Sequence, residues 1–293
     1  MPELPDVVVY VQSLGRLLAG QTVDDVIIRS PSILKTFEPN IESICGLRID
    51  GFSRCGKRVV WHLQDELFLV FHLMIAGRFH WSPKIKSPTG KNDLLAIQTP
   101  AGTMMLTEAS SKKRAGLWIL RSIDDVQCMS AGGVDVLQVD FGTFQERLLA
   151  ENHTLKRALT DPRLFDGIGN AYSDEILHAA QLSPLKRTLQ LDSSEQERLY
   201  RAVRVTLSSW IDILTCQTGE KFPERVTAFR PEMAVHGKFA QPCPVCQSPI
   251  QRIRYADNEC NYCPGCQTDR KILADRSLSR LLKDDWPKSL DEL

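Results

Sequence analysis

No stretch of the 293-residue chain is apolar and uninterrupted for long enough to span a membrane or to form the core of a signal peptide, which argues against membrane insertion and against secretion. An excess of one charge is also missing, since 36 Lys and Arg balance 36 Asp and Glu. A neutral total excludes a wholesale electrostatic attraction to nucleic acid or membrane but leaves room for a local basic face. No internal repeat is evident. Cysteine, by contrast, is plentiful. The nine cysteines are an odd number, and five of them crowd between Cys243 and Cys266, which fits a metal site plus reduced thiols in a cytosolic protein better than a disulfide framework. Cys45, Cys55, Cys128 and Cys216 read as buried small hydrophobes.

The opening "MPELPDVVVY" reads as a helix with Glu3 as its cap and Leu4, Val7, Val8 and Val11 as its apolar face, ending at Gly20. Neither helix nor cap explains Pro2. Short alternating or apolar runs follow, from "TVDDVIIR" to "GLWILRS", with Gly, Pro and Asn between them, the pattern of a β-sandwich. From residue 141 the period becomes helical: Phe144, Leu148, Leu155 and Leu159 recur at helical spacing, and a long helix opens with a capping box from Ser194 to Glu197 and carries Tyr200, Val203, Leu207, Trp210 and Leu214 on one stripe. Between them Gly167 and Gly169 make a tight turn that places Asn170 at the start of the next helix.

"CPVC" at 243–246 and "CPGC" at 263–266 are matching knuckles sixteen residues apart, the spacing of a four-thiolate zinc site in a β-hairpin module; the alternative is a redox dithiol. Cys260 makes a further C-x-x-C pair with Cys263, but it lacks the proline that the two knuckles share and is left as the spare. Four thiolates leave a metal no open position, so such a zinc is structural and catalysis belongs elsewhere. Lys112, Lys113, Arg114 and Arg121 lie within one stretch free of acids, which reads either as a phosphate-contacting turn or as a solvated hairpin tip.

The "MPELPD" opening, Gly56-Lys57 leading into a strand, "FHLMIAG" from Phe71, "DGIGNAYSDEILHAA" from Asp166 and the finger ending "NYCPGCQTD" together resemble the formamidopyrimidine-DNA glycosylase and endonuclease VIII family. The resemblance implies an α+β multidomain protein: an N-terminal β-sandwich with flanking helices over 1–125, a linker and helix-two-turn-helix domain over 126–235, a zinc-finger hairpin over 236–271 and a charged tail over 272–293. It implies damaged DNA as partner, one structural zinc, no membrane and no dedicated protein partner, a monomer, and a cytoplasmic, nucleoid-associated or, in a eukaryote, nuclear location. It also gives Pro2 a role. With Met1 removed, the proline nitrogen becomes a terminal secondary amine that attacks the sugar of the damaged nucleotide, Glu3 shuttles protons, and Lys57 contacts phosphate or assists proton transfer. Asn170 is expected to donate to backbone phosphate.

Two departures from the family pattern bear on substrate. The finger arginine five residues before the third zinc cysteine is Asn258 here, an amide without charge or a bidentate fork. The residues that would wedge into the gap left by an extruded base fall on Lys113 or Arg114 and on Ala115, with Met74 as the remaining plug. The segment 219–235 is short compared with members that enclose oxidised purines, which favours oxidised pyrimidines over 8-oxoguanine. The competing expectation is a DNA-structure binder that keeps the fold without the chemistry.

Overall fold

The computed structural model describes residues 1–224, 226–255, 258–275, 281 and 287–292. Its contacts divide the chain into one unit formed by Met1–Ala131 with Trp210–Thr227 and another formed by Gly132–Ser209 with Ala228–Leu293.

The first unit opens with α1 (Leu4–Leu18), in which Pro5 occupies the first turn, where a missing N–H costs no helix bond. Its buried stripe is Leu4, Val7, Tyr10, Leu14 and Leu18; Val8 and Val11 are only half-buried. The strands β1 (Asp25–Ile28), β2 (Ile49–Cys55), β3 (Arg58–Leu63), β4 (Leu67–His72), β5 (Gly77–Ser82), β6 (Asp93–Thr99), β7 (Gly102–Glu108) and β8 (Gly116–Leu120) form two four-stranded antiparallel sheets. Their orders are β1-β6-β7-β5 and β2-β3-β4-β8. Tyr10 from α1, Trp61, Leu69 and Phe71 from one sheet, and Phe79, Ile97 and Leu106 from the other belong to one buried apolar cluster. β3 and β4 read as continuous apolar runs because both faces are covered: Val60, Phe68 and Val70 point away from the main core and pack with Val126 of α2 (Ile123–Cys128). The segment after Trp210 belongs to the same unit through Phe222, whose ring lies 5.7 Å from that of Tyr10.

The other cysteines correct an expectation. Cys45, Cys128 and Cys216 are exposed and Cys55 is half-buried. They sit where short turns or helices end, and the buried positions of those elements are already filled by Ile44, Val126 and Leu214.

In the second unit the run expected as one helix near residue 141 breaks into α3 (Phe141–Leu149) and α4 (Leu155–Thr160), each with its own side-chain cap, Asp140 and Thr154. All four leucine and phenylalanine positions of the pattern are nonetheless buried. Two turns then lead to α5 (Asn170–Ala179), and the long α6 (Ser193–Thr218) follows. α6 starts before the expected box: the Asp192 N–H donates to Glu195 and the Glu195 N–H donates back to Asp192 at 2.9 Å. The chain continues into the hairpin β9 (Gln251–Tyr255) and β10 (Asn258–Tyr262) and the single turn α7 (Pro264–Gln267). Residues 287–292 return to the finger, with the Ile272 N–H on the Lys288 carbonyl and the Leu290 N–H on the Arg270 carbonyl, both at 2.9 Å. The tail's expected short helix falls mainly on residues outside the described ones.

Two adjacent acids on α5 join this helix to the finger. Asp174 is fully buried and accepts from Lys156 Nζ at 2.5 Å, from the Asn261 N–H at 3.1 Å, and pairs with His236 Nδ1 at 2.8 Å. Glu175 accepts three successive backbone N–H groups, of Ala234, Val235 and His236, at 2.8–2.9 Å. Burial raises the Glu175 pKa, and the three N–H donors work against that rise. Asp174→Ala would strand the buried Lys156 ammonium and is expected to destabilise this unit by about 3–5 kcal/mol. Urea denaturation of parent and variant, followed by a probe in the finger, checks this; a loss within about 0.5 kcal/mol would show that the joint contributes little.

Candidate functional site

The sequence-derived candidates fall into two groups, one in each unit. In the first, Pro2 and Glu3 are buried, and Glu3 caps α1 with its own N–H donating to Asp6 Oδ2 at 3.0 Å. Lys57 stands in the two-residue turn between β2 and β3. Gly56 before it adopts φ +62°, a conformation that costs a side-chain-bearing residue and that closes the hairpin tightly. The chain's amino group titrates below the usual value for a terminal amine, first because it is buried and then because the Arg78 guanidinium and Lys57 lie near it; Glu3 and Asp6 oppose the shift. An amine, two cations and two carboxylates therefore share one electrostatic neighbourhood at the head of α1.

Arg78, which sequence reasoning passed over, also organises this region. Its Nε donates to the Val226 carbonyl at 2.6 Å and its Nη1 to the Ile75 carbonyl at 3.0 Å, tying the turn between β4 and β5 to the segment after α6. In that turn Met74 is half-buried at φ +52° with its N–H on His72 Nδ1 at 3.1 Å, and the next residue, Ile75, is 63% exposed. The apolar side chain offered to solvent here is thus Ile75. Nothing in the local pattern separates it from Met74; only the backbone conformation decides which of the two faces outward.

The loop between β7 and β8 is built around the buried carboxylate of Glu108. It accepts from the Arg114 N–H at 2.8 Å, the Ala115 N–H at 3.0 Å and Ser110 Oγ at 3.0 Å, while Lys113 Nζ donates to the Glu108 carbonyl. Lys113 is half-buried and Arg114 exposed. Ala115 belongs to the main apolar core and is 2% exposed, so the expectation that it occupies the wedge position is corrected: it packs inward as the chain enters β8.

In the second unit Gly169 is the cap of α5 and Asn170 its first residue. Asn170 Nδ2 donates to the Glu259 carbonyl of the finger hairpin at 2.9 Å, and the Asn170 carbonyl accepts from Lys156 Nζ at 2.7 Å. The backbone of Asn258 pairs with that of Tyr255 at the hairpin end; its side chain, the part that bears on DNA binding, lies outside the described residues.

The four knuckle cysteines converge. Cys246 Sγ is 3.3 Å from Cys263 Sγ, and Cys243 Sγ is 3.8 Å from Cys266 Sγ. The Val245 N–H points at Cys243 Sγ at 3.4 Å, a polar backbone contact suited to a thiolate. Gly265 is required at the second knuckle because a Cβ there would lie 2.8 Å from Cys246 Sγ. Burial lifts the Cys263 thiol to about 12, whereas hydrogen bonds from Ser248, Cys263 and Cys266 outweigh burial at Cys246 and bring it to about 6. Four converging sulfurs with backbone support fit a soft divalent metal such as zinc. Cys260 lies apart, in a buried cluster with Ile253 and Tyr262. One neighbour of the cysteines was not foreseen: His178, in the last turn of α5, brings Nε2 to 3.3 Å from Cys243 Sγ.

A β-sandwich headed by a capped helix, a helix-two-turn-helix unit and a cysteine finger define a class of DNA-repair protein, and comparison with known proteins identifies it. Residues 1–112 match the formamidopyrimidine-DNA glycosylase N-terminal domain, and residues 133–219 match its H2TH domain. The formamidopyrimidine-DNA glycosylase of Thermus thermophilus is 30% identical over 275 residues, covering 91% of this chain and 98% of the relative. The Lactococcus lactis Fpg in complex with abasic-site DNA superposes with a TM-score of 0.81 at 26% identity, over 91% of this chain and 99% of the other. The wild-type L. lactis protein with DNA containing an oxidised pyrimidine gives 0.80 at 25% identity, over 91% and 100%. The chain belongs to the formamidopyrimidine-DNA glycosylase family.

The pH behaviour of the first unit follows from His72. Burial, then the Arg58 and Lys57 charges, lower its pKa to about 4. The folded value lies below that of an unfolded histidine, near 6.5, so the unfolded chain takes up more protons between the two. Stability from this group is complete above about 6.5 and is lost as pH falls towards about 4. Thermal midpoints of the parent should therefore drop more steeply over that window than those of His72→Gln, whose amide keeps an acceptor for the Met74 N–H; equal slopes would contradict the assignment.

Proposed function

We propose that the protein is a bifunctional DNA glycosylase and abasic-site lyase that excises an oxidised base, with the secondary amine of Pro2, exposed by removal of Met1, as nucleophile. The observation that carries this reading is the head of α1: a buried amino terminus whose basicity is lowered by burial and by two cations, with Glu3 beside it. A lowered pKa raises the fraction of free amine at neutral pH, which is the reactive form.

The chemistry is written from the residues. The proline nitrogen attacks C1′ of the damaged nucleotide, the bond from C1′ to the base breaks, and the base leaves with a proton. Opening of the sugar ring, with Glu3 delivering a proton to the ring oxygen, turns the adduct into an iminium. The iminium withdraws electrons from C2′, so a C2′ proton is lost and the bond between C3′ and the phosphate oxygen breaks. Water then hydrolyses the iminium and returns the free amine. Lys57 and Asn170 hold phosphates on either side of the lesion, and Lys113 and Arg114 add positive charge from the loop between β7 and β8. The four cysteines Cys243, Cys246, Cys263 and Cys266 hold one zinc that braces the finger, and Asn258 contributes an uncharged contact there. Borohydride treatment of the protein with abasic DNA should yield one covalent adduct, which peptide mass analysis assigns to Pro2; an adduct that persists in Pro2→Gly and maps to Lys57 would overturn the assignment.

Ile75 is read as the side chain that fills the gap left by an extruded base, since it is the exposed apolar residue of its turn. Removing most of that side chain forfeits about 1.4 kcal/mol of apolar contact, so single-turnover excision of an oxidised pyrimidine from matched duplex should fall about tenfold in Ile75→Ala. The rate on a single-stranded or bubble substrate should change much less, because little unstacking is required there. Equal losses on both substrates would remove the wedge role.

A further inference from the structure

The cysteine cluster contains one more metal-ligating side chain than a four-thiolate site needs. The Nε2 of His178 and the sulfurs of Cys243, Cys263 and Cys266 all lie within 4.8 Å of one another, which makes these four a compact ligand set in its own right. His178 is 7% exposed, and its Nε2 lies 3.3 Å from Cys243 Sγ, close enough for a hydrogen bond to sulfur. Its position is not adjustable by a loop: it sits on α5, whose preceding residues Asp174 and Glu175 are locked to the finger by the ion pair and the three backbone donors described above. Cys246, by contrast, is the exposed member of the four cysteines. The ligand most open to solvent and to electrophiles is thus not among the four that form the compact histidine-containing set.

Resting on the reading of the cysteines as metal ligands, we propose that His178 is a reserve ligand. While four thiolates hold the metal, His178 donates its Nε2–H to the Cys243 thiolate and so ties the metal to α5. When Cys246 is lost, the imidazole proton moves from Nε2 to Nδ1 by exchange with solvent and Nε2 takes the vacated position, giving a three-cysteine, one-histidine site. Zinc accepts both donor sets in the same tetrahedral arrangement. Alkylation is one way of losing the ligand: with iodoacetamide a bond forms between Cys246 Sγ and carbon, the carbon–iodine bond breaks, and iodide leaves. The finger then keeps its metal, and the helix that begins with Asn170 keeps its attachment to it.

The test uses the full chain as parent, Cys246→Ala, His178→Phe and the double variant, each loaded with cobalt(II) in place of zinc. Metal content per chain and the ligand-field spectrum are read, the latter because sulfur and nitrogen donors give different bands. The parent and His178→Phe should each hold one metal with an all-sulfur spectrum, Cys246→Ala should hold one with three sulfurs and one nitrogen, and the double variant should lose it. A metal-free Cys246→Ala, a double variant that binds as well as Cys246→Ala, or a Cys246→Ala spectrum without the nitrogen donor would overturn the proposal. A metal-free parent would overturn the reading of the cysteines themselves. Because a variant can fail for want of folding, folded zinc-loaded parent and His178→Phe are also alkylated with iodoacetamide: the parent should retain zinc after Cys246 is modified and His178→Phe should release it, whereas equal release from both would refute the reserve role.

Discussion

A secondary amine exists in a polypeptide only where proline is the first residue, so a proline nucleophile has to be held from one side. That constraint shapes the first unit. The terminus has no preceding chain to fix it, and α1 supplies the anchorage through Leu4, Val7, Tyr10 and Leu14 in the apolar core that also contains residues of both sheets. Tyr10 meets Phe79 edge to face at 5.5 Å and packs against Phe222, so the helix is fixed against a strand and against the segment after α6 together. The charged groups around the terminus arrive from rigid places as well: Lys57 from a tight two-residue turn and Arg78 from the start of β5, with its guanidinium committed to backbone carbonyls. An amine that must be partly unprotonated and accurately aimed needs such a rigid and partly desolvated setting.

In the second unit the equivalent anchor is α5. Its first residue bonds the finger hairpin through a side-chain amide, its middle carries the Asp174–Glu175 pair, and its last turn reaches the cysteine cluster through His178. Charge is buried here at a cost, but each charged group finds several partners: Asp174 has an ammonium, an imidazole and a backbone N–H, and Glu175 has three backbone donors. Such a network fixes one arrangement of helix and finger. In the proposed function this is what presents Asn170 and the hairpin to DNA as one surface.

Much of this was legible in the chain itself. Strands were readable because their apolar residues alternate or run together between Gly, Pro and Asn, and the cysteine knuckles because metal-ligand spacing is local. The four family motifs were readable because they are short and close to the residues that act. What escaped depends on tertiary packing. Three residues able to cap, Asp192, Ser193 and Ser194, precede two acids at 195 and 197, so the local signal for the start of α6 was degenerate, and the structure resolves it at Asp192. Ala115 looked like a truncated wedge because alignment on Gly116 carries no information about which way a residue faces; Glu108, gripping the backbone on either side of that bend, turns it inward. His178 and the Asp174–Glu175 pair are single polar residues on a helix, where periodicity is silent about partners that lie sixty or more residues away.

The central claim is that the reacting group is the chain's own terminal nitrogen, and the most direct measurement varies only whether that nitrogen is in a peptide bond. Protein retaining Met1 and the same protein after enzymatic removal of Met1 would be compared for borohydride-trapped adduct with abasic DNA, at matched concentration and with folding checked by circular dichroism. The account predicts no adduct on the Met1 form and adduct on the processed form, attached at Pro2. Equal trapping of the two forms would contradict it.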